Sequence, residues 1–350
     1  MKLFVLAFFP VFIVKKLRYL RIYSERLKCF LYSIGLSFTS FYPYYLKYKE
    51  SQSNKGINFK SNDPVVRWGQ AFCYYNSFEG RPTVLLSWAD GPQPGNFGDW
   101  LSPYIISKVC EVNIVHVNEV DVKKLKQVHI VAIGSIIGSV NEYSNVVGSG
   151  ITSRSDEFNI AAKFYSVRGE KTALRLHDLG GERVNSYGDL GYLLRDVYSP
   201  KKDCYQKSGV LVVRHLNHQS IDINLDSEFK ESSIACSHPD DIELFIEELH
   251  KAEYVATSAM HCLIACVSYG IPCVFFTFND GVNKVPGDGV KYQDVVDGVG
   301  LSEIKLEVIT ELDQFCNVIR KASKYTDKIE CTELDKMKDV MKKAVTESHL

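Results

Sequence analysis

From Pro64 onward the chain alternates short apolar segments with helix-patterned ones, and the alternation breaks once and starts again. Thr83–Trp88, Val112–Val117, Val128–Ile133, Val146–Gly148 and Phe164–Val167 are short strand candidates bounded by Gly, Asn or Ser, and a helix is expected from about Asp99 to Val109. After the Pro/Lys/Asp break at Ser199–Asp203 the pattern resumes. It predicts strands at Val210–Val213, Ser233–Cys236, Tyr254–Thr257 and Cys273–Phe276, with helices at Pro239–Lys251 and Ala259–Tyr269. Apolar strands this short, separated by amphipathic helices, bury both faces only in a parallel sheet covered on each side. The expected fold class is therefore α/β, with two Rossmann-like domains facing a cleft, at 64–203 and 204–310, and charged C-terminal helices over 311–350. Ligands of such sheets bind beyond the carboxyl ends of the strands, so strand ends are where chemistry is sought.

The N-terminal part is of another kind. Residues 3–14 are apolar, and Lys15, Lys16, Arg18, Arg21, Arg26 and Lys28 follow. Twelve apolar residues fall short of the ~20 a membrane-spanning helix needs. A secretory signal would carry its charges first and end at small residues. Apolar and aromatic groups followed by a basic cluster fit an anchor lying in the headgroup region, so residues 1–48 are expected to form a membrane-surface helical extension that contacts lipid through residues 1–46. Residues 49–63 (KESQSNKGINFKSND) are polar and aperiodic, as in a linker. A net charge of −1 removes the electrostatic case for nucleic acid as a partner. The ten cysteines include no C-x-x-C pair, and many stand in apolar runs. That excludes zinc-ribbon and thioredoxin-type spacing and suits buried thiols in a reducing compartment.

Five segments could carry chemistry. Asn96, Gly98 and Asp99 follow the Thr83–Trp88 strand. Glycine there permits close backbone approach, Asp99 could cap the next helix with Pro103 in its first turn, and the free amides of a helix start attract anions. Arg168 directly follows a strand, where a guanidinium can grip phosphate or carboxylate in bidentate fashion, although a salt bridge to Glu170 or a neighbour would use the same residue. Asp189, in Tyr187–Gly188–Asp189, could orient a sugar hydroxyl or sit in a hinge. Arg214 and His215 end the first strand of the second half. Ser258 and His261 open the Ala259–Tyr269 helix, with Thr257 or Ser258 as its cap and Gly270 closing it in the left-handed conformation before Pro272. A histidine in the first turn at a strand end suits acid/base work or phosphate binding.

Together these segments resemble the polysaccharide pyruvyl transferase family. The resemblance is carried by N-x-G-D (Asn96, Gly98, Asp99), V-R-G-x-x-T (Val167, Arg168, Gly169, Thr172), G-D (Gly188, Asp189), the block S-x-x-H-x-L-I-A from Ser258, and Y-G-I-P from Tyr269. They occur in the family's order over about residues 90–280, and the S-x-x-H block is the most specific. The resemblance implies a glycosyltransferase-B-like fold and transfer of a pyruvyl group from phosphoenolpyruvate, as donor substrate, to a sugar of a surface polysaccharide or of its lipid-linked oligosaccharide precursor. No metal or further cofactor is implied, and the location implied is cytoplasmic, peripheral on the inner face of the membrane. His261 and His215 take the catalytic roles; Arg168, Asn96, Gly98, Asp99, Asp189, Ser258 and Arg214 bind substrate. Two positions depart from the pattern: Ala259 stands where some members carry arginine, and Cys262 replaces the usual glycine. Two other readings compete. A sugar-nucleotide-dependent glycosyltransferase on the same fold would need a ribose carboxylate such as Asp280 or Asp288. A non-catalytic, membrane-associated assembly partner would have no use for the retained Arg168, His215 and His261.

Overall fold

A computed structural model describes residues 64–120, 122, 126–200, 207–279 and 284–348. The expected extension and linker, residues 1–63, and Asp280 lie outside these described residues. Two five-stranded sheets, parallel throughout, form the body. The first contains β1 (Thr83–Ser87), β2 (Asn113–His116), β3 (His129–Val131), β4 (Ser144–Val146) and β5 (Lys163–Phe164). The second contains β6 (Val210–Val213), β7 (Phe229–Ser232), β8 (Tyr254–Thr257), β9 (Cys273–Phe278) and β10 (Leu306–Ile309). The helices are α1 (Pro64–Tyr75), α2 (Phe97–Val109), α3 (Glu170–Asp178), α4 (Leu194–Val197), α5 (Pro239–Lys251), α6 (Met260–Tyr269), α7 (Val290–Asp294), α8 (Phe315–Lys321) and α9 (Cys331–Thr346).

The first sheet runs β2-β1-β3-β4-β5 and the second, from its other edge, β7-β6-β8-β9-β10. These are the same topology. In each, the strand order reverses beside the first strand, at β1/β3 and at β6/β8. Such a switch point opens a crevice at the carboxyl end of the sheet, because the two neighbouring crossovers leave to opposite sides.

Most elements fall where the sequence places them, and the differences have physical causes. A strand was expected over Ser233–Cys236, but β7 comes earlier, because an edge strand needs only one buried side chain and Phe229 supplies it. Residues 233–236 instead cross toward the first sheet, where the Ile234 carbonyl accepts the Phe97 amide at 2.9 Å. β4 begins two residues early. Its Ser144 and Asn145 are polar yet buried, Ser144 against the His129 ring at 2.9 Å and Asn145 donating to the Ala344 carbonyl at 3.3 Å. α2 starts at Phe97 rather than Asp99, which moves Pro103 from the first turn to the second.

The halves share one apolar core. Phe97, Trp100, Leu101 and Tyr104 of α2 are fully buried together with Ile242 and Ile246 of α5 and Leu263 and Ile264 of α6. Each fully buried side chain of this size contributes about 1.5–3 kcal/mol. An interface built from several of them outweighs the polar, mobile contact usual between domains and fixes the two sheets relative to each other. Polar ties lie around it: Arg67 grips Asp241 through Nη2 at 2.6 Å and Nε at 3.0 Å, and Lys108 reaches Glu243 at 2.6 Å. α9 returns to the first half, where Met337 packs on Gly188 and Lys338 pairs with Asp196 at 2.7 Å. Among the described residues, no helix is long and apolar enough to cross a membrane.

Candidate active site

The residues nominated from sequence stand at the carboxyl ends of the strands and divide into two groups. Some face one another across the crevice, and others are consumed in holding it open.

His261 occupies the second position of α6, directly beyond β8, and is 8% exposed. Its Nε2 lies 3.6 Å from Asp189 Oδ2, and neither atom has a hydrogen-bond partner although both are buried. Asp189 is fully buried; its other oxygen accepts the Gly191 amide at 2.8 Å and caps the 3-10 turn Leu190–Leu193. The other ring nitrogen of His261 faces the start of α2. A Cβ on Gly98 would lie 2.0 Å from His261 Nδ1, so only glycine lets the helix and the ring approach this closely. Gly188 is constrained likewise: its φ is +129° and a Cβ would meet Met337 Cε at 2.0 Å.

Asp99 does not cap α2. Asn96 does, accepting the Gly98 amide at 3.2 Å. Asp99 sits in the first turn, where burial pushes its carboxyl up to about 6 against the opposing pull of His261, the Asn96 side chain and Lys291. From the second sheet, His215 follows β6. Burial first, then Lys291, His218 and His261, bring its imidazole down to about 4, so it is neutral at pH 7. Ser258 was expected as a possible helix cap together with Thr257. Instead its hydroxyl accepts the His215 amide at 2.9 Å and meets His218 Nδ1 at 2.8 Å, tying the loop after β6 to the end of β8. Thr257 takes the Ala259 amide at 3.0 Å, and the first turn of α6 has no side-chain cap.

The two arginines depart from expectation. Arg168 is fully buried. Its Nε donates to Asp294 Oδ2 at 2.9 Å, Nη1 to Ser135 Oγ at 2.7 Å and Nη2 to the Ile151 carbonyl at 2.6 Å. Asp294 also accepts the Thr172 amide and hydroxyl, at 3.0 and 2.7 Å. A guanidinium with this many protein acceptors is a clamp between the first sheet and α7 rather than an open anion receptor. Arg214 likewise donates to both oxygens of Glu231, at 2.6 and 3.0 Å, and to the carbonyls of His218 and Ile221, which shapes the loop carrying His215.

The clamp brings in a residue that sequence reasoning missed. Lys291, three positions before Asp294 on α7, is placed where Arg168, Asp99 and His215 all act on it or feel its charge. Burial, then Arg168, lowers its ammonium to about 8 despite Asp99. Its Nζ donates to the Pro286 carbonyl at 3.2 Å. No motif marks it; the only hint in the sequence is a lysine just after the Pro286–Gly287–Asp288–Gly289 loop. Among the described residues, no His, Cys, Asp and Glu group has the geometry of a metal site. Cys262 is fully buried behind His261, in contact with Cys266.

The two switch points of this α/β fold hold between them a neutral imidazole, a carboxyl shifted toward neutrality and a partly desolvated ammonium. Residues 146–280 match the family model described as polysaccharide pyruvyl transferase. The match takes in Arg168, Asp189, Arg214, His215, Ser258 and His261; Asn96, Gly98, Asp99 and Lys291 lie outside it. No curated protein matches the chain significantly.

Proposed function

We propose that this protein moves a pyruvyl group from phosphoenolpyruvate to two hydroxyls of one sugar, in a surface polysaccharide or its lipid-linked precursor, and releases phosphate. The observation that carries the reading is that the family-matched segment brings His215, Ser258 and His261 to one switch point, opposite Asp99, Asp189 and Lys291. The donor is a compact, multiply charged anion. It requires a cation and free helix amides; Lys291, whose charge acts on His215 and Asp99, is the cation, and the uncapped start of α6 offers the amides. Lys291 thus takes the role expected of Arg168, while Arg168 and Asp294 hold α7 in place. His261 orients the donor from its helix start. His215, neutral at pH 7, accepts a hydroxyl proton.

The matched topology of the two sheets and the return of α9 to the first half support a glycosyltransferase-B-like arrangement with domains at 64–203 and 204–310. The apolar and basic residues 1–46 support attachment to the inner face of a membrane, where lipid-linked acceptors are presented. A sugar-nucleotide donor gains no support: Asp288, its available ribose carboxylate, pairs with Arg154 at 3.2 Å and caps Val290.

The test is incubation with phosphoenolpyruvate and a panel of lipid-linked glycans. Phosphate release matched by a mass gain of one ketal-linked pyruvate is the expected result. Stabilisation against heat by a sugar nucleotide but not by phosphoenolpyruvate would favour glycosyl transfer instead.

A further inference from the structure

We propose that Asp189 is the positioning residue of this site: it fixes the His261 ring with Nε2–H toward its own carboxylate, so that the ring meets the donor as an imidazolium through its other nitrogen. This rests on the pyruvyl-transfer reading and gives Asp189 a role on His261 rather than on the sugar.

Asp189 is held from both sides. It follows Gly188, whose φ is +129° and which lies against Met337, and it opens the 3-10 turn Leu190–Leu193, which packs on α2 and α6. Its Oδ1 accepts the Gly191 amide at 2.8 Å. Gly191 is itself flush with α6, where a Cβ would stand 3.0 Å from Ile264 Cγ2. The Asp189 side chain is fully buried, so a sugar hydroxyl in the crevice does not reach it. Its Oδ2 faces His261 Nε2 at 3.6 Å and has no hydrogen-bond partner. Among the described residues, Asp189 has no other ion-pair partner within 4.0 Å.

His261 comes from the second half and enters between two elements of the first, with Gly98 of α2 against Nδ1 and Asp189 against Nε2. Nε2 is buried without a partner, while the side chain as a whole keeps 10% of its surface. A ligand in the crevice therefore meets the ring away from Nε2. Two buried polar atoms that face each other without a bond are a rare and costly arrangement. A lone pair on Nε2 would point at the lone pairs of the carboxylate, so the proton belongs on Nε2. The gap exceeds an N–H···O bond by under ~1 Å, which a small tilt of the ring closes. A donor anion at the other nitrogen calls for a second N–H. An imidazole between two anions carries both protons, and its positive charge then compensates the buried carboxylate. Asp99 from α2 and His215 from the loop after β6 are the other titratable groups on which the ring acts by charge.

Replacing Asp189 by asparagine separates this role from a structural one. The Gly191 amide still needs an acceptor, and the amide oxygen is the only atom of the asparagine side chain that can serve. The NH2 group then falls opposite Nε2 and donates to it. The turn keeps its cap, but the ring is driven to carry its proton on Nδ1 alone. A neighbour that donates to a histidine where a carboxylate accepted imposes the wrong tautomer.

The experiment is nitrogen NMR of histidine-labelled wild type and D189N, with H261A identifying the signals, before and after saturation with phosphoenolpyruvate. It is run at about pH 8, above the ordinary imidazole range. Wild type is expected to carry a proton on Nε2 when free and on both ring nitrogens in the complex. D189N is expected to carry it on Nδ1 alone, to lose about 10²-fold or more in kcat for phosphate release, and to unfold in urea close to wild type. The wild-type spectra decide the proposal even where D189N folds poorly. A free wild-type protein with Nε2 unprotonated, a complex in which either ring nitrogen lacks its proton, or D189N turnover within a few-fold of wild type would overturn it. If phosphoenolpyruvate does not bind, the pyruvyl-transfer reading and the donor contact fall together, while the protonation of Nε2 in the free protein still decides the part played by Asp189.

Discussion

Removing the carboxylate at Asp294 should be the most damaging single change outside the crevice. Both side chains of the Arg168–Asp294 pair are fully buried, and Nε and Oδ2 are 2.9 Å apart. In D294A the guanidinium keeps its bonds to Ser135 and Ile151 but loses its countercharge, and the Thr172 amide and hydroxyl lose their acceptor. Breaking a buried pair from one side costs about 3–5 kcal/mol, because the remaining charge cannot be hydrated. A typical domain has ~5–15 kcal/mol in all, so the variant should unfold at markedly lower denaturant. The same chemistry makes a second expectation. Replacing both partners, as in R168M/D294L, leaves no orphan charge and should recover most of the loss. Urea unfolding of wild type, R168M, D294L and the double variant closes the cycle, with D294A measured beside it. A D294A cost below about 1 kcal/mol, or a double variant no better than D294A, would refute the idea that this is a desolvated, mutually dependent pair.

Four further outcomes follow from named contacts. G98A forces the His261 ring away from α2, and a displacement near 1 Å at reacting groups costs on the order of 10²-fold; steady-state kinetics should show a fall in kcat/KM with a folded protein by circular dichroism. G188A combines a left-handed backbone with a clash on Met337, so it should destabilise the protein, and M337A should relieve only the clash and leave the backbone strain, as read by thermal melting of both. Because the folded protein lowers the Lys291 pKa from 10.5 to about 8, the charged lysine weakens the fold below pH 8 and that penalty fades as pH rises toward 10.5. K291M should therefore melt higher than wild type at pH 7, by a margin that shrinks by pH 9.5, while losing donor affinity. The folded His215 pKa is depressed to about 4, so its contribution is intact above 6.5 and is lost as pH falls toward 4. The stability difference between wild type and H215N should shift against wild type over that window.

Much of the architecture was visible in the chain because its signals are local. β6, β8 and α5 match their expected bounds residue for residue: short buried runs stop just before Arg214 and Ser258, and Pro239 with two aspartates opens α5. Gly270 ends α6 at φ +71°, as its place before Ile271–Pro272 implies. What stayed hidden depends on partners far along the chain. Arg168 follows a strand, as a donor-binding arginine would, and only the fold shows that a carboxylate 126 residues away occupies it. Lys291 belongs to no motif and reaches the crevice because Asp294 is clamped. Asp99 was legible as a cap or ligand by position, but His261 and Lys291, whose charges act on it, come from the second half of the protein. Gly98 was read as allowing a ligand close to the backbone, and in the fold it is the His261 ring that rests there.

The central claim is that both halves build one site for one small anion. Titration calorimetry of phosphoenolpyruvate against wild type, K291M and H261A tests it most directly. A single site in wild type, weakened about 10-fold or more in each variant, is the expected result, since each change removes a charged or hydrogen-bonding contact to the same anion. Unchanged affinity in both variants would contradict the account.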